Sequence, residues 1–86
     1  MTYRIEIIKA AARQLEVLPE STGKRIDTKI RALAANPRPP GAKTLQGREG
    51  VHLRIRVGDY RVVYHIDDRA LLVLVVRIGH RREVYR

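Results

Sequence analysis

Three arginines and one histidine in the second half of the chain could together act on a phosphate group: Arg54, Arg56, Arg61 and His80. A guanidinium group stays charged at neutral pH and fits a phosphate with two parallel hydrogen bonds. The chain has no cysteine, and no serine and histidine are placed as a plausible nucleophile. The chemistry best suited to this set is attack of an RNA 2′-OH on its own phosphate. That reaction needs a base, cations for the phosphorane, and an acid.

The arginines would supply the cations in this scheme, and His80 would supply the base or the acid. Arginine is too basic to give up a proton readily, whereas histidine has a reference pKa near ~6.5. A solvated face with splayed arginine side chains is the alternative interpretation, because charged strand faces are usually of that kind.

The overall charge points to a polyanion or an acidic protein as partner. Lysine and arginine outnumber aspartate and glutamate by 18 to 9, which gives a net charge of +9. Such a field attracts anions and does not determine the fold. Three scattered histidines without cysteine make a poor zinc set. We therefore expect no metal site and no cofactor.

The length of 86 residues predicts a single domain, residues 1–86. The N-terminus carries charges from the start and has no signal-peptide core. The longest apolar run, residues 70–76, is too short to span a bilayer. These features predict a cytoplasmic protein with no membrane partner.

The first half of the chain changes its hydrophobic period from two to that of a helix. Residues 2–8 alternate as a strand does. Residues 10–18 and 19–36 each carry one apolar stripe and predict two helices, with Pro19 at the start of the second and Pro37 after its end. The stripes comprise Ala11, Leu15 and Leu18, then Ile26, Ile30, Leu33 and Ala34.

The second half returns to a period of two. It predicts strands at residues 43–46, 51–57, 60–66 and 71–78, the last apolar on both faces as an internal strand is. The predicted class is α+β with the order β-α-α-β-β-β-β. We expect a mostly antiparallel sheet with a two-helix hairpin packed on one face.

The turn at Gly58-Asp59 fixes the register of the central hairpin. A two-residue loop with glycine first suits a type II′ turn and places Arg56 opposite Arg61. Like charges that face each other are destabilising, a cost that makes sense if the face binds phosphate. The predicted polar face carries His52, Arg54, Arg56, Arg61 and His65, and the opposite, apolar face receives the helices.

Continuing the same alternation into the last strand predicts that its even-numbered residues share the basic face. His80 would then lie near Arg61, unless Gly79 interrupts the alternation. Three apolar residues would also lie on that face as a partner-binding strip: Leu72, Leu74 and Val76. The alternative is that the strip folds under the loop at residues 37–50.

Three segments resemble the RelE branch of the RelE/ParE toxin superfamily: KTLQG at 43–47, LRIRVGDYRVVY at 53–64 and VRIGHRREVYR at 76–86. LPE at 18–20 and ANPRP at 35–39 fit as well, so the resemblance spans nearly the whole chain. It implies a toxin that cleaves messenger RNA in the ribosomal A site without a metal, leaving a 2′,3′-cyclic phosphate. It also implies an acidic antitoxin as partner, and contact with operator DNA only through that antitoxin.

The family's site residues correspond by position to Arg54, Arg56, Arg61, Arg81 and Tyr85. The best-known RelE pattern has lysines at the first two positions, and the second is thought to act as the base. Arginine at both positions leaves the base open. The expected phosphate-binding set is Arg54, Arg56, Arg61, Arg81 and Arg82.

Two further interpretations remain for the function. A ParE-type toxin would share the fold and inhibit DNA gyrase, and a non-catalytic module would bind RNA or the ribosome through the same basic face. The combination of Arg61, His80, Arg81 and Tyr85 favours RelE. Tyr85 would stack on a base or simply cover an apolar edge.

Overall fold

The computed structural model describes residues 2–47 and 50–84, and the predicted site residue Tyr85 lies outside this range. The strands are β1 Arg4–Ile7, β2 Lys43–Gly47, β3 Gly50–Val57, β4 Tyr60–Asp67 and β5 Leu72–His80. The helices are α1 Lys9–Glu16, α2 Glu20–Ala32 and a short α3 Arg81–Val84. Over the described part of the chain, no helix is long and apolar enough to cross a membrane.

The five strands form one mixed sheet in the order β1-β5-β4-β3-β2. β1 runs parallel to β5, and the other three pairs are antiparallel. The α+β prediction is therefore confirmed, and β5 is an internal strand between β1 and β4, as its apolar composition indicates.

The two long helices cover one face of the sheet and close the core. Their buried residues are Ala11 from α1 and Ile26 and Ile30 from α2, with Leu33 just beyond α2. Each predicted apolar stripe therefore faces inward. Removal of such aliphatic surface from water is the main stabilising contribution to a fold of this size. The sheet contributes Ile55, Val57, Val62, Tyr64, Ile66, Val73, Val75 and Ile78.

Helix α2 ends four residues before the predicted boundary at residue 36, at Ala32. The N–H groups of Leu33, Ala34 and Ala35 each donate to a carbonyl three residues earlier. Such bonds tighten the last turn of a helix beyond its regular end. The proline at residue 37 therefore follows a tight turn and does not itself end the helix.

The β3–β4 hairpin has the predicted register. Val57 pairs with Tyr60, Arg56 with Arg61, and Ile55 with Val62. Gly58 has a φ of +61° whereas Asp59 keeps a negative φ, which is the type II′ pattern and not the type I′ pattern. The basic residues therefore lie on the face opposite the helices.

A β-bulge in β5 overturns the predicted face of the C-terminal residues. Tyr64 pairs with Val75, but its neighbour Val63 pairs with Arg77, so Val76 is an extra residue without a ladder partner. A bulge of one residue reverses the alternation beyond it. Leu72 and Leu74 lie on the open face as predicted, whereas Ile78 and His80 lie on the helix face.

Two polar contacts hold the segment after α2 against the sheet. The Tyr64 hydroxyl, buried in the core, donates to the Pro37 carbonyl at 2.7 Å. At the surface, the Arg38 guanidinium binds both carboxylate oxygens of Asp68, at 3.2 and 3.0 Å, and the Tyr3 hydroxyl donates to the same carboxylate at 2.6 Å. These contacts fix a loop that forms one wall of the groove described next.

Candidate phosphate-binding groove

A groove of about 720 Å³ lies at the edge of the sheet where β2 is absent and β3 is the outermost strand. Strand β2 begins at Lys43, which pairs with Arg54. The β3 residues beyond Arg54 therefore have no β2 partner, and their edge is open. The C-terminal part of α2 and the proline-rich loop at residues 39–41 form the facing wall.

The described residues that line this groove include five cations and no carboxylate: Lys29, Lys43, Arg54, Arg56 and Arg61. A concave surface lined by one sign of charge concentrates ions of the opposite sign. Apolar residues of the loop and of α2 complete the lining. The groove is therefore chemically suited to phosphate groups.

Arg61 is the most unusual of these cations, because only 6% of it is exposed. One terminal nitrogen donates to the carbonyl of Tyr60 at 3.3 Å. Among the described residues, its Nε has no hydrogen-bond partner and no carboxylate forms an ion pair with it. A buried charge is costly unless it is paired. Within the described residues, the charge of Arg61 is therefore not balanced by an ion pair.

The other two arginines lie beside it as predicted. Arg56 is directly across the ladder from Arg61, is exposed, and donates from Nε to the Gly58 carbonyl at 3.2 Å. Arg54 is half-buried and lines the same groove. The predicted convergence of the three arginines on one face is confirmed, and their catalytic role stays a prediction.

The predicted position of His80 beside Arg61 on the basic face is wrong. Because of the Val76 bulge, His80 pairs with Tyr60 and its ring lies edge-on to that tyrosine, with 5.7 Å between the ring centroids. It lines a separate small cavity with residues of α1. The structure therefore separates His80 from the arginines it was predicted to serve.

The two arginines that follow His80 are exposed in α3. The Arg81 N–H donates to the carbonyl of Asp59 at 2.9 Å, which fixes the start of α3 next to the hairpin turn. The Arg82 N–H donates to His80 Nδ1 at 3.3 Å. Neither arginine is part of the groove lining.

The sequence placed His52 and His65 on the basic face without assigning them a role. Their rings lie 5.7 Å apart between centroids and are tilted by 57°. The signal was available in the hairpin register, which places the two residues opposite each other. Within residues 2–47 and 50–84, no three His, Cys, Asp or Glu side chains form a metal-binding group.

The apolar strip predicted in β5 is present in part. Leu72 and Leu74 are half-buried on the open face, flanked on β1 by Arg4 and Glu6, and Val76 is the half-buried bulge residue. The loop after α2 is bonded at its start, Pro37, to the buried Tyr64 on the helix side of the sheet, which is the side away from Leu72 and Leu74.

The chain matches the family model described as ParE toxin of type II toxin-antitoxin system, parDE, over residues 5–85. It is 38% identical over 85 residues to Toxin RelE of Mycobacterium tuberculosis, a match that covers 98% of this chain and 87% of the relative. It is 33% identical over 91 residues to Putative toxin RelE1 of Methanocaldococcus jannaschii, covering 100% of this chain and 98% of the relative.

The fold also matches that of a chain in a solved toxin–antitoxin complex. The archaeal RelE–RelB complex from Pyrococcus horikoshii OT3 contains a chain that superposes with a TM-score of 0.83 at 28% identity. The match covers 96% of this chain and 99% of that one. The chain belongs to the RelE/ParE superfamily of type II toxin–antitoxin toxins, and its curated relatives place it with the RelE type.

Proposed function

We propose that this toxin blocks translation by cleaving messenger RNA on the ribosome. The observation that carries the proposal is Arg61, a nearly buried cation whose Nε has no partner among the described residues, in a groove lined by further cations. A preorganised donor of this kind stabilises charge as it develops on a phosphate. The RNA 2′-OH attacks the adjacent phosphorus, and the 5′-oxygen leaves, which yields a 2′,3′-cyclic phosphate.

We assign the groove arginines different roles according to how exposed their side chains are. Arg61 and half-buried Arg54 hold fixed positions and bind the phosphate oxygens, while exposed Arg56 adds charge at the rim. The family correspondence adds Arg81 as a further phosphate contact and Tyr85 as a base-stacking residue. Arg82 extends the same charge along α3.

Cleavage of ribosome-bound message by purified toxin tests the proposal. We expect cuts within the A-site codon of a programmed ribosome, 2′,3′-cyclic phosphate ends, and almost no cleavage of the same RNA free in solution. The ribosome would orient the message so that the attacking 2′-oxygen lines up with the 5′ leaving group. Intact message on toxin-treated ribosomes would overturn the proposal.

A second candidate rests on the family model, which is that of ParE toxins and matches residues 5–85. A ParE-type toxin would inhibit DNA gyrase through this fold and would leave ribosome-bound message intact. A supercoiling assay with the same protein preparation separates the two functions. Inhibition of supercoiling without message cleavage would establish the gyrase alternative.

A cognate antitoxin is the partner that the related toxin–antitoxin complexes support. We place its binding site on the strip formed by Leu72, Leu74 and Val76. An acidic segment, disordered when free, would lay apolar side chains on this strip while its carboxylates meet the basic face. Such a segment would inhibit the toxin by covering the groove or by making it too large for the A site.

A further inference from the structure

The described residues that line the groove include arginines and lysines but no histidine, so the groove itself offers no ready proton carrier near neutral pH. The 2′-OH must lose a proton and the 5′-oxygen must gain one. The groove arginines keep their protons at neutral pH, and His80 lies on the other face of the sheet. Histidine is the residue type that exchanges a proton near neutral pH, so the two histidines on the basic face are the candidates.

His52 and His65 are neighbours on adjacent strands of the open face. His52 is half-buried on β3 and His65 is exposed on β4. Their ring centroids are 5.7 Å apart and the 57° tilt keeps the rings from stacking. Two imidazoles at this spacing can both reach one phosphodiester.

Arg54 lies between this pair and the buried Arg61. It is two residues from His52 and two from Arg56 on β3, which is about 7 Å along the strand in each direction. A phosphate bound at Arg54 is therefore next to the histidine pair on one side and next to the Arg56–Arg61 ladder pair on the other. This position brings cations and proton carriers to the same phosphate.

The ladder neighbours of the pair are apolar. Leu45 of β2 pairs with His52, and Leu74 of β5 pairs with His65. The described charged residues on this face, from all five strands, are Arg4, Glu6, Lys43, Arg54, Arg56, Arg61, Asp67 and Arg77. Asp67 accepts hydrogen bonds from the N–H groups of Arg69 and Ala70 and so belongs to the β4–β5 turn.

We propose that His52 and His65 are the acid–base pair of this toxin, an inference that rests on the proposed RNA cleavage. The neutral imidazole takes the proton of the 2′-OH as the 2′-oxygen bonds to phosphorus. The protonated imidazole gives its proton to the 5′-oxygen as the P–O5′ bond breaks. The products are a 2′,3′-cyclic phosphate and a free 5′-hydroxyl, and the pair ends with its protonation exchanged.

The test is single-turnover cleavage of ribosome-bound message between pH 5.5 and 9. We expect the wild-type rate to depend on two ionisations. His52→Gln and His65→Gln should each lower the rate about 100-fold or more, and each should remove one limb of the pH profile. The variant that loses the low-pH limb identifies the base, and the other identifies the acid. The toxin concentration at half-saturation should change little, because the arginines still bind phosphate.

Phenylalanine variants separate proton transfer from base stacking. His52→Phe and His65→Phe keep a flat ring that can stack on a base but cannot move a proton, so they should be as slow as the glutamine variants. Activity in the phenylalanine variants would overturn the proposal, as would a wild-type rate and pH profile in the glutamine variants. A limb lost in His80→Gln alone would assign the proton transfer to His80 instead.

The same experiment distinguishes failure of the pair from failure of the proposed function. If the wild-type toxin leaves ribosome-bound message intact, the cleavage proposal fails and the pair fails with it. If the wild-type toxin cuts and the histidine variants cut equally well, only the pair is overturned. Circular dichroism of each variant confirms that loss of rate is not loss of fold.

Discussion

The hydroxyl of Tyr64 reaches from the middle of the core to the carbonyl oxygen of Pro37, at 2.7 Å. Tyr64 is fully buried, and its burial raises the pKa of the phenol to about 12. The hydroxyl therefore remains protonated and donates throughout the physiological range. Through this bond the central strand of the sheet positions the proline-rich wall of the groove.

Tyr64→Phe should lower the free energy of unfolding by about 1–3 kcal/mol, because the Pro37 carbonyl loses its buried donor. Urea denaturation measures the change. Tyr3→Phe is the matched comparison, since it removes a tyrosine hydroxyl bond at the surface, and it should cost less. Equal losses in the two variants would show that the buried bond has no special role in holding the loop.

Arg61→Met should give a more stable but inactive toxin. Methionine has similar length and removes a nearly buried cation that has no ion-pair partner among the described residues, and relief of such a charge stabilises a fold. We expect a gain of about 1 kcal/mol in urea denaturation. The cleavage rate should fall on the order of 100- to 1000-fold, because a preorganised donor is lost.

The exposed Arg13 of α1 offers the matched control for that experiment. Arg13→Met removes the same charge far from the groove and should change both measurements little. If Arg61→Met destabilises the protein, the guanidinium has a structural partner and is not held for substrate. If it leaves cleavage intact, Arg61 does not stabilise the phosphate.

Asp68→Asn should destabilise the protein at neutral pH and make less difference in acid. The bonds from Arg38 and Tyr3 lower the pKa of the Asp68 carboxyl below its ordinary value. A carboxyl whose pKa is depressed on folding adds stability above its unfolded pKa, near ~3.9, and loses it as the pH falls through the folded value. Urea denaturation of both proteins from pH 7 to pH 2.5 should show the two stabilities converging below about pH 4. A constant difference across that range would contradict this linkage.

Leu74→Glu should weaken antitoxin binding by placing a charge in the proposed apolar strip. Desolvation of the carboxylate against apolar side chains of the partner is unfavourable, and we expect at least a ten-fold rise in Kd by calorimetry. Val17→Glu is the control, because Val17, which directly follows the last residue of α1, is 82% exposed and lies away from the strip. An unchanged Kd for Leu74→Glu would place the antitoxin on another surface.

The parts of the fold that follow from local rules were predictable from the sequence. The two-residue turn at Gly58-Asp59 determines the β3–β4 register, and with it the face of Arg54, Arg56 and Arg61. The parallel pairing of β1 with β5 joins the two ends of the chain and has no local signal. The environment of the site also depends on where β2 starts, at Lys43, because that start leaves the edge of β3 open.

The misplacement of His80 has a specific physical cause. Residues 71–76 are apolar on both faces, so the alternation of apolar and polar residues that would reveal an inserted residue is absent before the bulge. The mark of the bulge is Arg77, because unbroken alternation would turn its charged side chain toward the helices. The histidine pair was predictable, because the register set by the Gly58-Asp59 turn places His52 opposite His65, but the sequence alone offered no reason to assign the two residues a role.

The extra residue Val76 shifts the alternation of side chains along β5 by one residue. Before it, the even-numbered residues lie on the open face, and from Arg77 to His80 the odd-numbered residues do. Deletion of Val76 would close the bulge and leave the ladder pairs beyond it unchanged, so His80 would stay opposite Tyr60 on the helix face. An ungapped comparison with a relative that lacks the insertion would align residues from opposite faces of the sheet. Functional assignments to the end of this chain therefore have to be read from the strand ladder, residue by residue, and not from motif spacing.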